Sequence, residues 1–169
     1  MKEEAKIIVV DELETLKQRI IDNILANGQS ATGETIKSLK VVSDDSGVAL
    51  FGRKAFGTLE TGRKAGKIPI NFRDIILQWM KARKISGRPI PYKRRPSDRW
   101  QPKYTPEQRG DMSLAGAIAF KTKKEGSKLN RDGGRNDVYS NEIPETLKNI
   151  RERLKGIVVM EVKNVIKLN

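Results

Sequence analysis

The sequence predicts an α+β fold, a small antiparallel sheet set among helices and carrying a long basic arm, on three observations. Apolar residues recur at helical spacing from Leu13 to Leu25, two short β-branched runs flank Asp44-Asp45-Ser46-Gly47, and further helical patterns follow on either side of a proline-rich basic stretch.

In chain order, Ile7 to Val10 is β-branched throughout and is expected to be an extended lead-in. Asp11 then suits a helix N-cap, with Glu14 three residues later in a capping-box pattern, and Leu13, Leu16, Ile20, Ile24 and Leu25 form the apolar stripe. Gly28 is the expected stop. After the Ala31-Thr32-Gly33 turn, Ile36 to Ser43 and Val48 to Phe51 are the expected strands of a hairpin. Gly52, Gly57, Gly62 and Gly66 punctuate a stretch with Phe56, Leu59 and Glu60, leaving room for one helical turn.

Pro69 blocks helix before Asn71, and Asn71 with Asp74 opens a second helix that places Phe72, Ile75, Ile76, Trp79 and Met80 on one side and ends near Ser86-Gly87. Arg88 to Gly110 holds five prolines and no periodicity, and reads as an irregular arm. Asp111 or Ser113 caps a third helix, Met112 to Glu125, with a small-residue face and Gly126 as its stop. Residues 127–141 read as a polar loop, and Pro144 suits the first turn of a fourth helix carrying Leu147, Ile150 and Leu154. From Ile157 to Leu168 the apolar residues fit either a strand or a helix, and the β-branched content with Gly156 favours the strand. The whole is expected to be one domain, residues 1–169, around one core that contains Leu16, Ile20, Ile24, Leu39, Leu50, Trp79, Ile118 and Ile150.

The chain has no cysteine and no histidine, which excludes thiolate chemistry, imidazole bases and the usual zinc ligands. The first apolar run is too short for a signal peptide core or a membrane span. Net charge is +13, from 34 basic and 21 acidic residues; 16 basic and 5 acidic residues fall between Lys81 and Arg135, so +11 lies there. A polyanionic neighbour, nucleic acid or an acidic protein face, is implied.

Gly62-Arg63-Lys64-Ala65-Gly66-Lys67 superficially suggests a phosphate loop, but three residues separate the glycines instead of four and Ile68 follows the lysine where a hydroxyl is needed. Asp44-Asp45, Asp132 and Asp137 sit among turn residues and are read as turn chemistry. Glu60 stands apart in a glycine-rich stretch; with no second acid at a useful spacing, an ion pair within or between subunits is expected. Within the arm, Lys93, Arg94, Arg95 and Arg99 interleave with Trp100 and Tyr104, a pattern that suits phosphate contact with base stacking or an anchor in a neighbouring subunit's pocket. Fully extended, the arm would reach on the order of 70 Å.

Three runs in order, Thr32-Gly33-Glu34-Thr35-Ile36-Lys37-Ser38-Leu39-Lys40-Val41, Gly47-Val48-Ala49-Leu50 and Phe56-Gly57-Thr58-Leu59-Glu60-Thr61-Gly62-Arg63, resemble the neck and minor tail-component family of tailed phages. Ala115 to Gly126 leading into Ser127-Lys128-Leu129 resembles that family's helix end, and Arg131-Asp132-Gly133-Gly134-Arg135 the version in phages of gut bacteria, crAss-like phages among them. The similar segments cover under half of the chain, and the arm has no counterpart in the compact version. The resemblance implies a long helix packed across a sheet, and Thr32, Gly33, Leu39, Phe56, Leu59, Glu60, Gly62 and Arg63 as motif positions. It further implies a non-enzymatic virion protein, made in the host cytoplasm, that works as one copy in a homo-oligomeric ring around the DNA path. Portal, adaptor or other neck and tail proteins would be its partners, non-specific contact with phage DNA would be possible, and neither cofactor nor membrane would be involved. The competing expectation is a free nucleic-acid-binding protein using residues 81–135.

Overall fold

A computed structural model describes residues 2–93 and 101–167. The elements run α1 (Lys2–Ala26), α2 (Glu34–Lys37), β1 (Lys40–Asp44), β2 (Gly47–Phe51), α3 (Thr58–Thr61), α4 (Phe72–Ala82), α5 (Pro106–Glu125), α6 (Lys128–Arg131) and α7 (Glu142–Lys167). This is the α+β class expected. The chain folds as two compact units, residues 1–60 with 135–169 and residues 61–134, and the buried residues sort accordingly, where one shared core was expected.

In the first unit, Leu16, Ile20, Ile24, Leu39 and Val138 form the core, with Leu13, Ile36, Leu50, Phe56 and Leu59 packed against it. The apolar stripe of α1 is therefore read correctly, except that Leu25 is 56% exposed. Helix α1 also begins earlier than its caps suggested. Ile7 to Val10 is helical although none of the four is buried: they continue a 25-residue helix anchored downstream on the hairpin and α7, and extending it outweighs the weak strand preference of β-branched residues. Asp11 and Glu12 lie inside the helix and accept from the Arg153 guanidinium of α7 at 2.5 and 2.8 Å, while Arg19 pairs with Glu145 at 3.2 Å. These pairs, Asp11 with Arg153 and Arg19 with Glu145, set α1 and α7 antiparallel.

At the other end Gly28 takes the left-handed conformation, φ +59°, and the Gln29 N–H reaches back to the Ile24 carbonyl at 3.0 Å, the glycine stop that was expected. The hairpin pairs Val41 with Leu50 and Val42 with Ala49. Its turn is held by Asp44, whose carboxylate accepts from the Ser46 and Gly47 N–H groups. The first strand is shorter than expected: Glu34 to Lys37 is a helical turn. Ile36 and Leu39 lie three apart, so a helical turn sends both to the core, whereas a strand would place them on opposite faces.

The tail is helical throughout its described length. Leu154 and Val158 are four residues apart and continue the face begun upstream, which corrects the strand expected for 157–168. Ile150 is half-buried and Leu147 is exposed, so this helix contributes less core than its periodicity implied.

In the second unit α4 packs on α5. Phe72 and Met80 are buried on α4, and Gly110, Ala115 and Ala119 on α5, so large residues of one helix face small residues of the other. Trp79, expected inside, is 37% exposed, and Ile118 is half-buried. Helix α4 ends at Ala82, before the Ser86-Gly87 signal. Lys84 takes the left-handed position, φ +54°, that glycine usually fills, and the Ile85 N–H closes on the Met80 carbonyl at 2.9 Å.

Helix α5 starts six residues before the expected Met112. Thr105 is its N-cap, Gln108 completes a capping box, and Pro106 occupies the first turn. Asp111, expected as the cap, instead accepts from the Gly87 N–H at 2.6 Å. There the backbones nearly touch: a Cβ on Gly110 would lie 2.2 Å from the Arg88 carbonyl oxygen, and one on Gly87 2.2 Å from that of Gly110.

Ile24→Ala should cost about 2–5 kcal/mol in urea unfolding, while Leu25→Ala beside it should stay within about 0.5 kcal/mol. Equal losses at the two positions would place the buried face elsewhere.

Candidate functional site

Motif positions contact the segment expected to be a polar loop, residues 127–141: Glu60 in the first unit, and Gly62 with Arg63 in the second. In the first unit Glu60 is 3% exposed, and it takes no ion pair among the described residues. Its Oε1 accepts from the N–H groups of Val138, Tyr139 and Ser140 at 3.0, 2.7 and 2.9 Å, and its Oε2 accepts from the Ser140 hydroxyl. Three successive backbone donors turned to one oxygen form a nest for an anion, here filled by the protein's own carboxylate. Burial pushes the Glu60 pKa up, but the Ser140 hydroxyl and the three N–H groups together hold it below the ordinary value. The ion pair expected at Glu60 is replaced by neutral donors.

Other groups fix the same strand of chain. The Asn23 side chain donates to the Val138 carbonyl at 3.2 Å, and the Arg135 N–H donates to the Glu60 carbonyl at 2.9 Å. The Arg135 guanidinium grips Asp137 through two bonds and also reaches Asn27. Val138, thus held, is fully buried in the core, and Tyr139 lies against Phe56 with ring centroids 4.9 Å apart.

In the second unit a clasp joins Thr61–Gly66 to Lys123–Asn130. The Ser127 N–H donates to the Arg63 carbonyl at 2.8 Å, the Arg63 N–H to the Ser127 hydroxyl at 2.9 Å, the Gly66 N–H to the Lys123 carbonyl at 2.8 Å, and the Asn130 amide to the Thr61 carbonyl at 2.8 Å. Gly62 has to be glycine: at φ +66°, a Cβ would sit 2.5 Å from the Asn130 nitrogen. The glycines that mimicked a phosphate loop thus serve a backbone clasp. Arg63 lies over the Phe72 ring at 5.0 Å.

The remaining motif positions are architectural as well. Gly33 is left-handed at φ +74° and opens α2, the Thr32 hydroxyl faces the Glu34 N–H at 3.5 Å, and Leu39, Phe56 and Leu59 belong to the core and its lining.

No protein-family model, curated protein or solved structure matches this chain.

Of the arm, Arg94, Arg95, Arg99 and Trp100 lie outside the described residues. The described ends are pinned, which corrects the picture of a segment free from Arg88 to Gly110. The Tyr92 hydroxyl donates to the Tyr104 carbonyl at 2.9 Å, and the Ile90 N–H to the Pro106 carbonyl at 2.9 Å. The Arg109 guanidinium lies 4.1 Å over the Tyr92 ring and donates to the Ile90 and Pro91 carbonyls. Lys93 is exposed, and Tyr104, 36% exposed, carries Lys103 5.3 Å above its ring. With its base closed at Tyr92 and Tyr104, the arm's reach shrinks to the residues between them.

Among the described residues no three His, Cys, Asp or Glu side chains gather as a metal site, and no helix is long and apolar enough to cross a membrane. The composition missed the partition of charge. Residues 61–134 contain 19 basic and 6 acidic residues, a net of +13, while the first unit contains 15 of each and is neutral. The signal was present in the basic stretch, but its boundary became visible only with the fold.

Because the Glu60 pKa is lower folded than unfolded, its contribution is complete above the ordinary glutamate value of about 4.3 and is lost as pH falls through the lower folded value. Glu60→Gln should cost about 1–3 kcal/mol near neutral pH and flatten the acid limb of the stability curve, read by urea unfolding across pH. An unchanged acid limb would remove Glu60 from this role.

Proposed function

We propose that the chain is a structural subunit of a tailed-phage virion, one copy in a neck or tail-completion ring around the DNA path. The observation that carries the reading is the division of charge. Copies of a unit at +13 repel one another, so a ring must be built through the neutral unit, leaving the basic unit for a polyanion. The neutral unit has a surface suited to that contact. On α7, Val158, Val159 and Met160 are 54%, 51% and 63% exposed, and Arg151, Leu154, Lys155, Val158 and Val159 line a shallow cavity of about 460 Å³. The motif residues that resemble the phage family support the same reading: Leu39, Phe56 and Leu59 lie in the core and its lining, Glu60 in the nest, and Gly62 and Arg63 in the clasp, while Thr32 and Gly33 shape the turn into α2. Glu60, the one deeply buried carboxylate among them, has its donors already in place.

The basic unit also favours a second reading, a free protein that coats nucleic acid with no ring. The two differ in mass.

Native mass spectrometry of the purified chain should show a closed oligomer of one copy number, and Val158→Asp with Val159→Asp should reduce it to monomer while the circular dichroism spectrum persists. A chain that stays monomeric at all concentrations yet binds DNA would favour the second reading. The protein should also be present in purified particles.

A further inference from the structure

We infer that Phe120 with Lys67, Lys123 and Lys124 forms a nucleic-acid contact site on the second unit, recognising the phosphodiester backbone. It deepens the DNA-facing role proposed above and rests on that reading only for the polyanion's identity.

Phe120 is 68% exposed although it lies on a helix whose inner face buries Ala115 and Ala119. Lys123 and Lys124 follow at three and four residues, so they rise from the same side of α5 as the ring. The Gly66 N–H bond to the Lys123 carbonyl, 2.8 Å, brings the loop carrying Lys67 to that side. Together Gly66, Lys67, Phe120, Lys123 and Lys124 line a shallow cavity of about 410 Å³.

None of the three lysines has an ion-pair partner among the described residues. The carboxylates of this unit that do pair are taken: Glu125 by Arg131, Asp74 by Arg73. Lysines near a helix C-terminus are favoured by its dipole, which explains two of them without a ligand. That account does not explain a bare aromatic ring among them or a third lysine supplied by another segment. Ammonium groups around an exposed ring suit a nucleic acid: the cations take phosphates and the ring takes a sugar face or an unpaired base. An acidic protein face would use the same cations, but nucleic acid offers the ring a stacking surface at every base, and polyglutamate competition separates the two.

The test is fluorescence anisotropy of the full-length protein with labelled duplex and single-stranded DNA of equal length over a salt series, with polyglutamate as competitor. Lys123→Ala with Lys124→Ala should weaken both DNAs about tenfold or more, and should reduce the salt slope by about two, one phosphate contact for each lysine. Phe120→Ala should weaken single-stranded DNA by roughly 5-fold to 100-fold if the ring stacks on bases. A loss confined to duplex would assign the ring to the sugar face. Oligomer mass, measured on the same variants, should not change, so failure of this site and failure of the ring reading are separable. Wild-type affinity in the lysine variant would overturn the site. So would an equal loss from Lys40→Ala with Lys54→Ala, exposed lysines of the neutral unit away from α7, a loss seen only with Arg94→Ala and Arg95→Ala, or equal displacement by polyglutamate at matched charge.

Discussion

The carboxylate of Glu60 is the constraint on which the first unit depends. Residues 138–140 return to the core far from Glu60 in sequence, and Val138 can be buried only if the backbone on either side of its side chain is satisfied. A neutral acceptor would take one or two of the donors. A carboxylate takes all four and is itself stabilised in its charged form, so the anion and the peptide segment each supply what the other needs. The ionisation of one side chain therefore satisfies three successive backbone donors that the Asn23 and Arg135 contacts leave unmet, and with them holds the segment that leads into α7.

The second unit solves a different problem. It buries few large apolar residues, Phe72 and Met80 among those described, and carries a heavy positive charge; it gains its order from backbone closeness: the clasp at Gly62 and Ser127, the approach of Gly87 to Gly110, and the alanines of α5. Small side chains leave the surface for the lysines and arginines, whose long stems carry charge outward without entering the packing. Core economy and surface charge are thus two sides of the same composition.

Much of this could be read in the residues. The α1 stripe, the Gly28 stop, the hairpin with its Asp-Asp-Ser-Gly turn and the buried Leu39 all follow from local rules, because in each case local preference and tertiary packing agree. The errors fall where they disagree. Ile7 to Val10 and the segment after Gly156 are β-branched, yet each lies in a helix that spans more than twenty residues, and the cooperative gain of continuing it outweighs the small cost at each residue. Asp111 carries the side chain of a cap and points to a late start for α5, while the true cap, Thr105, precedes a proline whose basic, proline-rich surroundings match the arm. The nest around Glu60 was beyond reach for a different reason: its donors are backbone groups, present at nearly every position and invisible in a string of side chains. Phe120 carries no signal of its own in the sequence, since periodicity does not say which apolar residue is left uncovered.

The first unit is discontinuous, made of the beginning and the end of the chain with the second unit between them. During synthesis α1 emerges with Ile36, Leu39, Leu50, Phe56 and Leu59 to pack on it but lacks Val138 and α7, so its core stays incomplete while some seventy residues of the second unit leave the ribosome. That second unit is contiguous and has all its partners at hand as soon as Gly134 appears. Its order of assembly therefore runs from the middle outward, with the nascent first unit exposed to aggregation or to a chaperone until the last helix arrives. Losing that last helix would do more than shorten the protein: it would leave the α7 side of α1 open, with Asp11, Glu12 and Arg19 parted from Arg153 and Glu145.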